Sequence, residues 1–260
     1  MKKLLLLVMT LFVAFSLCFS LVSCDKDDDV NNEQNTEETP NDEESTEKEE
    51  ITYSEGLAFT SNGDGTCYVS GIGTCTDTDI NIPPVSPKGD SVTRISSSAF
   101  YNCTSLTSVV IGDSVTSIGD RAFYYCSSLT SIVIPDGVIS IGSSAFYNTG
   151  YYKNSSNWEN GVLYIGKYLI EAKDTISGEY VIKNGTKVIA DRAFSGCESL
   201  TNIVIPDSVT SIGDYAFNGC ESLTDVYYTG SNAEWETIDI EGYNSNLTSA
   251  TIHYNYTPEN

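Results

Sequence analysis

Apolar residues in this chain recur at a fixed interval instead of gathering in blocks. Ala-Phe pairs beginning at Ala99, Ala122, Ala145, Ala193 and Ala216 are separated by 23, 23, 48 and 23 residues, so the long gap is close to two periods. Leu129, Ile132, Ile134, Pro135, Val138 and Ile141 lead into Ala145 and Phe146. Leu200, Ile203, Ile205, Pro206, Val209 and Ile212 lead in the same order into Ala216 and Phe217. The run Val-Thr-Ser-Ile-Gly-Asp occurs at 115–120 and again at 209–214. Self-similarity at a period of this length is the signature of stacked repeats.

One repeat reads as one coil. Over Leu129 to Ile134 the apolar side chains at 129, 132 and 134 point one way and Ser131 and Val133 the other, which predicts a short strand with one buried face. Pro135 ends that strand because it has no N–H to give to a ladder. Asp136 and Gly137 turn the chain, Val138 to Ile141 forms a second short apolar element, and Gly142 is expected to permit a tight bend before Ala145 and Phe146. A coil of 23 residues encloses too little interior to hold itself, so neighbouring coils must stack.

The order Leu-x-x-Ile-x-Ile-Pro-x-x-Val-x-x-Ile-Gly-x-x-Ala-Phe-x-x-Cys resembles the BspA-like leucine-rich repeats of surface proteins from anaerobic bacteria. The resemblance covers about residues 90–228, with weaker similarity on both flanks. It implies a β-rich leucine-rich-repeat solenoid over 89–228, closed by small β-structured caps at 51–88 and 229–260. Gly137 and Ser208 stand where the general leucine-rich pattern has asparagine, so no asparagine ladder is expected. The resemblance further implies an adhesin-like binding protein. Its strand face, including Ser108, Val110, Ser131, Val133, Asn202 and Val204, would meet host matrix or bacterial surface proteins.

The period fails between 147 and 188, which keeps the length of two coils but loses the consensus. Gly161 to Ile170 reads as two strands about a Gly166-Lys167 turn. Tyr151, Tyr152 and Trp158 gather here. Insertions of this kind fall on one face of a solenoid and often carry binding; the plainer and favoured reading is that the rings cover a widened coil. With Tyr124 and Tyr125 they also suggest an alternative partner, a glycan stacked on exposed aromatics. A spacer without any ligand of its own is the third reading.

Charge and the N-terminus place the chain. Lys2 and Lys3 precede an apolar stretch from Leu4 to Leu21, and Leu21, Val22, Ser23 and Cys24 resemble a bacterial lipobox. Residues 1–23 are accordingly expected to be a signal peptide and Cys24 the lipidated first residue of the mature chain. Anchoring would then be by acyl chains, not a membrane-spanning helix. Asp25, Lys26, Asp27, Asp28 and Asp29 resemble the export signal of Bacteroidetes lipoproteins, implying the outer membrane and exposure at the cell surface. Residues 24–50 are too polar to bury a core and read as an extended acidic tether. Of the net charge of −23, residues 25–50 carry −11 and residues 51–260 carry −14. A surface of that sign repels phosphate backbones, which argues against nucleic acid as a partner.

Candidate chemistry is sparse. Cys103, Cys126, Cys197 and Cys220 each follow the Phe of their coil by three residues, with Thr149 in the vacant slot, so they are one repeat position and are expected to be buried thiols. Cys67 and Cys75 lie outside the repeat, and a disulfide between them is possible in an extracellular setting. No Cys-x-x-Cys pair occurs and His253 is the single histidine, so neither a metal site nor a cofactor is expected. Ser-His or Cys-His catalysis would have to use that same His253. Asp113, Asp136 and Asp207 recur as turn residues, leaving no catalytic residue to name and no enzyme expected. The Asp-Ser-Val runs at 90, 113 and 207 resemble an O-glycosylation motif but also follow from the repeat.

Overall fold

The computed structural model describes residues 52–258, so the lipobox, Cys24 and the acidic tether lie outside the described residues. The repeat folds as a β-solenoid with two parallel ladders. The first strands of the coils form one ladder through Asp79–Asn81, Ser108–Val110 and Ser131–Val133, and another through Gly178–Val181, Leu200–Ile205, Asp225–Tyr228 and Thr251–His253. The second strands stack from Ser91–Ile95 through Ser117–Ile118 to Ser140–Ile141, and from Tyr168–Ala172 through Val188–Ile189 and Ser211–Ile212 to Asp239–Ile240. Between regular coils paired residues sit one period apart, as in Ser117↔Ser140 and Tyr180↔Ile203, whereas at the ends the spacing widens, as in Asp79↔Ser108 and Ser211↔Asp239. The ladders run past the consensus on both sides. An antiparallel hairpin, Ala58–Ser61 with Thr66–Gly71, lies ahead of Ser91–Ile95, and the helix Asn232–Trp235 opens with a Ser231–Glu234 capping box.

Three kinds of side chain make the coils stack. Phe100, Phe123, Phe146, Phe194 and Phe217 are fully buried, and their rings lie parallel, 5.0 Å apart for 100 and 123, 5.4 Å for 123 and 146, and 5.1 Å for 194 and 217. Gly119, Gly142 and Gly213 have ordinary φ, so the bend expected at Gly142 is not what requires glycine there. A Cβ would stand 2.5, 2.4 and 2.6 Å from the backbone nitrogens of Ser97, Asp120 and Asp191 in the coil beneath.

Hydroxyls and thiols take the place of the missing asparagine ladder. Ser114 Oγ donates to the Val92 carbonyl (2.7 Å) and Ser208 Oγ to the Thr186 carbonyl (2.8 Å). Cys126 and Cys220 donate to the carbonyls of Phe100 (3.0 Å) and Phe194 (3.2 Å). The Asp-Ser-Val runs at 113 and 207 therefore place their serine hydroxyls against the previous coil. All six cysteines of the described residues are free thiols, Cys67 and Cys75 included, and Cys67 is buried with its thiol toward the Asp90 carbonyl. Burial pushes the Cys197 and Cys220 thiols up, to about 11 and about 12.

The irregular stretch does more than widen a coil. Val162–Ile165 and Tyr168–Ala172 pair antiparallel around Gly166, whose φ of +58° suits the two-residue turn. Both faces of this hairpin are buried. Leu163, Ile165, Tyr168 and Ile170 join the core of the preceding coils, while Val162, Tyr164, Leu169 and Ala172 join that of the following ones. The hairpin thus divides the solenoid interior into two hydrophobic compartments. Its tip is held by the Tyr168 hydroxyl on the Pro135 carbonyl and by Lys167 on Asp136 (2.7 Å).

A candidate binding cleft at the end of an aromatic stripe

The residue after each Ala-Phe pair in the first coils is tyrosine. Stacking at the coil period lines these side chains up: Tyr101 lies 5.5 Å from Tyr124, and Tyr124 lies 5.2 Å from Tyr147. Tyr125 leans on Tyr124 at 4.7 Å. The irregular stretch prolongs the row, with Tyr152 at 5.0 Å from Tyr147 and Trp158 edge-on to Tyr152 at 5.1 Å. Six rings therefore form one continuous surface stripe.

The last turn of the stripe is organised by Thr149, which fills the cysteine slot. Its hydroxyl donates to the Phe146 carbonyl (2.9 Å) and accepts from the Tyr152 N–H (3.0 Å), so it caps the short helix Gly150–Lys153. From that helix the Tyr152 hydroxyl donates to Glu171 (2.7 Å), and the Tyr152 carbonyl accepts from the Trp158 indole N–H (2.7 Å). Asn157 holds the Tyr151 carbonyl (2.9 Å). Each aromatic wall is thus fixed by a polar contact behind it.

Between these rings and the next regular coil lies a cleft of about 660 Å³ lined by Tyr147, Tyr152, Trp158, Glu171, Lys173, Asp191 and Arg192, among others. Burial raises the Glu171 carboxyl above the usual range, against the opposing effect of the Tyr152 hydroxyl. Asp191 is pushed up to about 6, first by burial; the Asp214 N–H that it accepts (2.9 Å) opposes this, and the charges of Asp120, Asp214 and Glu241 add to it. Lys173 sits 5.1 Å over the Trp158 ring and Arg192 4.3 Å over Tyr215. The three ion pairs among the described residues are Lys167–Asp136, Lys183–Glu159 and His253–Asp225, and none involves Lys153, Lys173 or Arg192.

Of the residues anticipated from sequence, Tyr152 and Trp158 line the cleft, while Tyr124 and Tyr125 belong to the stripe leading to it. Tyr151 turns inward: its hydroxyl donates to the Tyr164 carbonyl (2.9 Å) and its ring packs on the core. Ser131 and Val133 are exposed on the first-strand ladder, away from the cleft lining. That ladder is less of a face than expected. Val110, Val133 and Val181 are 41%, 50% and 49% exposed, but Val204 is buried, and no strand pairing joins Ser131–Val133 to Gly178–Val181. Tyr101 and Tyr147 went unnoticed although their spacing from Tyr124 is the repeat itself. Asp191 and Arg192 repeat the Asp120-Arg121 pair ahead of an earlier Ala-Phe, whereas Glu171 and Lys173 carry no motif. His253 pairs with Asp225 (2.7 Å) and stacks on Tyr227, and no group of three or more His, Cys, Asp or Glu side chains suited to a metal occurs among the described residues. None of the described helices is long and apolar enough to cross a membrane.

The family model for the BspA type leucine rich repeat region matches in six copies, over residues 93–223 and 178–258. Among solved structures, a leucine-rich-repeat protein of T. pallidum is 26% identical, with 68% of this chain and 71% of that one covered and a TM-score of 0.40. One from Bacteroides ovatus is 28% identical, with 69% and 47% covered and a TM-score of 0.38; this chain spans about half of that protein's length. A third, from Bacteroides capillosus, is 24% identical, with 66% and 94% covered and a TM-score of 0.33. No curated protein matches the sequence.

Proposed function

The chain belongs to the BspA-type leucine-rich-repeat family, and from that premise we propose that it is an adhesin-like binding protein, held at the outer surface of the cell by lipid on Cys24. Its partners are host matrix or cell-surface proteins, met by the aromatic stripe. The observation that carries this reading is the unbroken row of five rings from Tyr101 to Trp158, with Tyr125 beside it, which ends in a preformed cleft. Aromatic side chains offer large contact area at small entropic cost and are enriched at interfaces. The first-strand ladder is the weaker surface, because it breaks at the irregular stretch and buries Val204.

The two surfaces separate experimentally. Full-length protein is applied to immobilised matrix proteins and to intact cells, as wild type, as Tyr101→Ala with Tyr124→Ala and Tyr147→Ala, and as Val110→Ser with Val133→Ser. Retention lost only in the tyrosine variant supports the stripe; retention lost only in the valine variant overturns it. The anchor is tested by Cys24→Ala, which abolishes palmitate incorporation and releases the protein from membranes if the lipobox reading holds.

A further inference from the structure

The cleft differs from the stripe in its charge. Residues 51–260 carry a net −14, yet Lys153, Lys173 and Arg192 all line this one cleft, and none forms an ion pair among the described residues. Three carboxylates line the same cleft: Glu171 accepts from the Tyr152 hydroxyl, Asp191 accepts from the Asp214 N–H, and Asp174 is exposed. Lys173 and Arg192 sit over aromatic rings and make no ion pair of their own among the described residues, so each can still meet an anion that is not part of the chain.

The remaining lining narrows the ligand. Trp158, Tyr152 and Tyr147 form an aromatic wall that needs an apolar surface against it, so a bare inorganic anion would leave most of the cleft unfilled. The volume of about 660 Å³ falls within the range of small-ligand sites, ~300–1,000 Å³. An extended peptide would seek an unpaired strand edge. The strand that lines the cleft, Tyr168–Ala172, already pairs with Val162–Ile165 on one side and Val188–Ile189 on the other. A pyranose ring with an apolar C–H face, hydroxyls at its edge and a carboxylate meets all three requirements.

We propose that the cleft binds an acidic saccharide, with a hexuronate ring against Trp158 and Tyr152 and its carboxylate toward Lys173 and Arg192. This rests on the reading of the chain as a surface binder and adds a ligand class for one end of its recognition surface. The walls are set before the ligand arrives, since Trp158 is tied to Tyr152, Tyr152 to Glu171, and Glu171 to a hairpin buried on both faces. Such preorganisation reduces the ordering cost of binding.

The test is titration calorimetry of the full chain at low ionic strength with three probes: tetragalacturonate, its neutral methyl ester and tetraglutamate. Tetragalacturonate is expected to bind at least about tenfold tighter than either of the others, a difference that one charge-assisted contact supports. Trp158→Ala removes the wall's indole, and Lys173→Gln with Arg192→Gln removes two of the three cations, those assigned to the carboxylate. Each is expected to weaken tetragalacturonate by about tenfold or more. Equal binding of acid and ester, equal binding of tetraglutamate, unchanged binding in the glutamine variant, or no binding of tetragalacturonate would each overturn the proposal. Retention on matrix proteins or cells that still depends on Tyr101, Tyr124 and Tyr147 would then leave the surface-binder reading standing. Conversely, saccharide binding that survives alongside stripe-independent retention would discard that reading and keep this one.

Discussion

A regular coil such as 106–128 and the irregular stretch 147–188 solve the same burial problem in opposite ways. In the regular coil every inward position has a counterpart one period away. Phe123 lies between Phe100 and Phe146, Gly119 lets the coil settle on Ser97, and Cys126 reaches the Phe100 carbonyl. The concavity along these coils, lined by Ser97, Gly119, Asp120 and Gly142, is smaller, at about 360 Å³. In the irregular stretch a hairpin buried on both faces replaces the strand pair, and the chain needed to enter and leave it stands out from the stack as the wall of a cleft. Repetition supplies cohesion, and its interruption supplies shape.

The largest effect that should break this comparison lies in the phenylalanine row. Phe123→Ala removes a fully buried ring with neighbours above and below it, and is expected to cost about 3–5 kcal/mol, measured by denaturant unfolding. The hairpin predicts where that cost is felt. Hydrogen exchange should quicken in the ladder strands from Ser91–Ile95 to Ser140–Ile141 more than in Ser211–Ile212. Uniform acceleration would mean that the two compartments do not open separately.

A smaller effect is expected at the point where one mode of folding gives way to the other. Thr149→Ala removes the cap of Gly150–Lys153 and leaves the Tyr152 N–H without its acceptor, at a cost of about 1 kcal/mol. Because Tyr152 holds the indole of Trp158, the fluorescence of Trp158 should change too, which is best read in a Trp235→Phe background. A stability loss with no spectral change would show that the cap does not govern the cleft.

That transition also marks the limit of what could be read from sequence. The ladders, their spacing, the Gly166-Lys167 hairpin and the return to register near Tyr180 are all carried by local pattern. Thr149 in place of cysteine was visible as an exception, but its capping role depends on the Tyr152 N–H being brought to it. That both faces of the hairpin are buried is signalled by the unbroken apolar runs Val162 to Ile165 and Tyr168 to Ile170. Continuous apolar runs do not reveal which core each side chain joins. Tyr151 and Tyr152 are adjacent and chemically alike and both pack on the core, yet only Tyr152 lines the cleft. Glu171, Asp191, Lys173 and Arg192 are ordinary surface residue types until the fold gathers them.

Charge in the cleft gives a prediction of intermediate size. Asp191 is held at about 6 in the folded protein against an ordinary carboxyl value of 3.8. A raised carboxyl adds stability that is complete below the unfolded value and is lost as pH rises through the folded one. The melting temperature should therefore carry a contribution from Asp191 that falls between about pH 4 and pH 6. Asp191→Asn keeps an oxygen for the Asp214 N–H and removes the charge, so it should be more stable than wild type at pH 7.5 and show a flatter profile over that window. An unchanged profile in the variant would assign the dependence to other carboxyls such as Glu171 instead.

The smallest expected change concerns the one stripe residue that sits against its own backbone preference. Two residues after the phenylalanine, the coils place Asn102, Asn148, Gly196 and Gly219 in the left-handed region, where asparagine and glycine are tolerated best. Tyr125 occupies the same position with φ of +61° and its side chain 41% exposed. Its ring recovers some contact with Tyr124 at 4.7 Å and Tyr147 at 6.3 Å, but a bulky residue in this conformation costs about 1 kcal/mol. Tyr125→Asn restores the residue found one coil away on either side and should raise stability by up to about 1 kcal/mol in denaturant unfolding. If the stripe is the recognition surface, the same variant should also be retained less well on the partner. A gain in stability with undiminished retention would place Tyr125 outside that surface, and a loss of stability would show that the ring contacts outweigh the backbone cost.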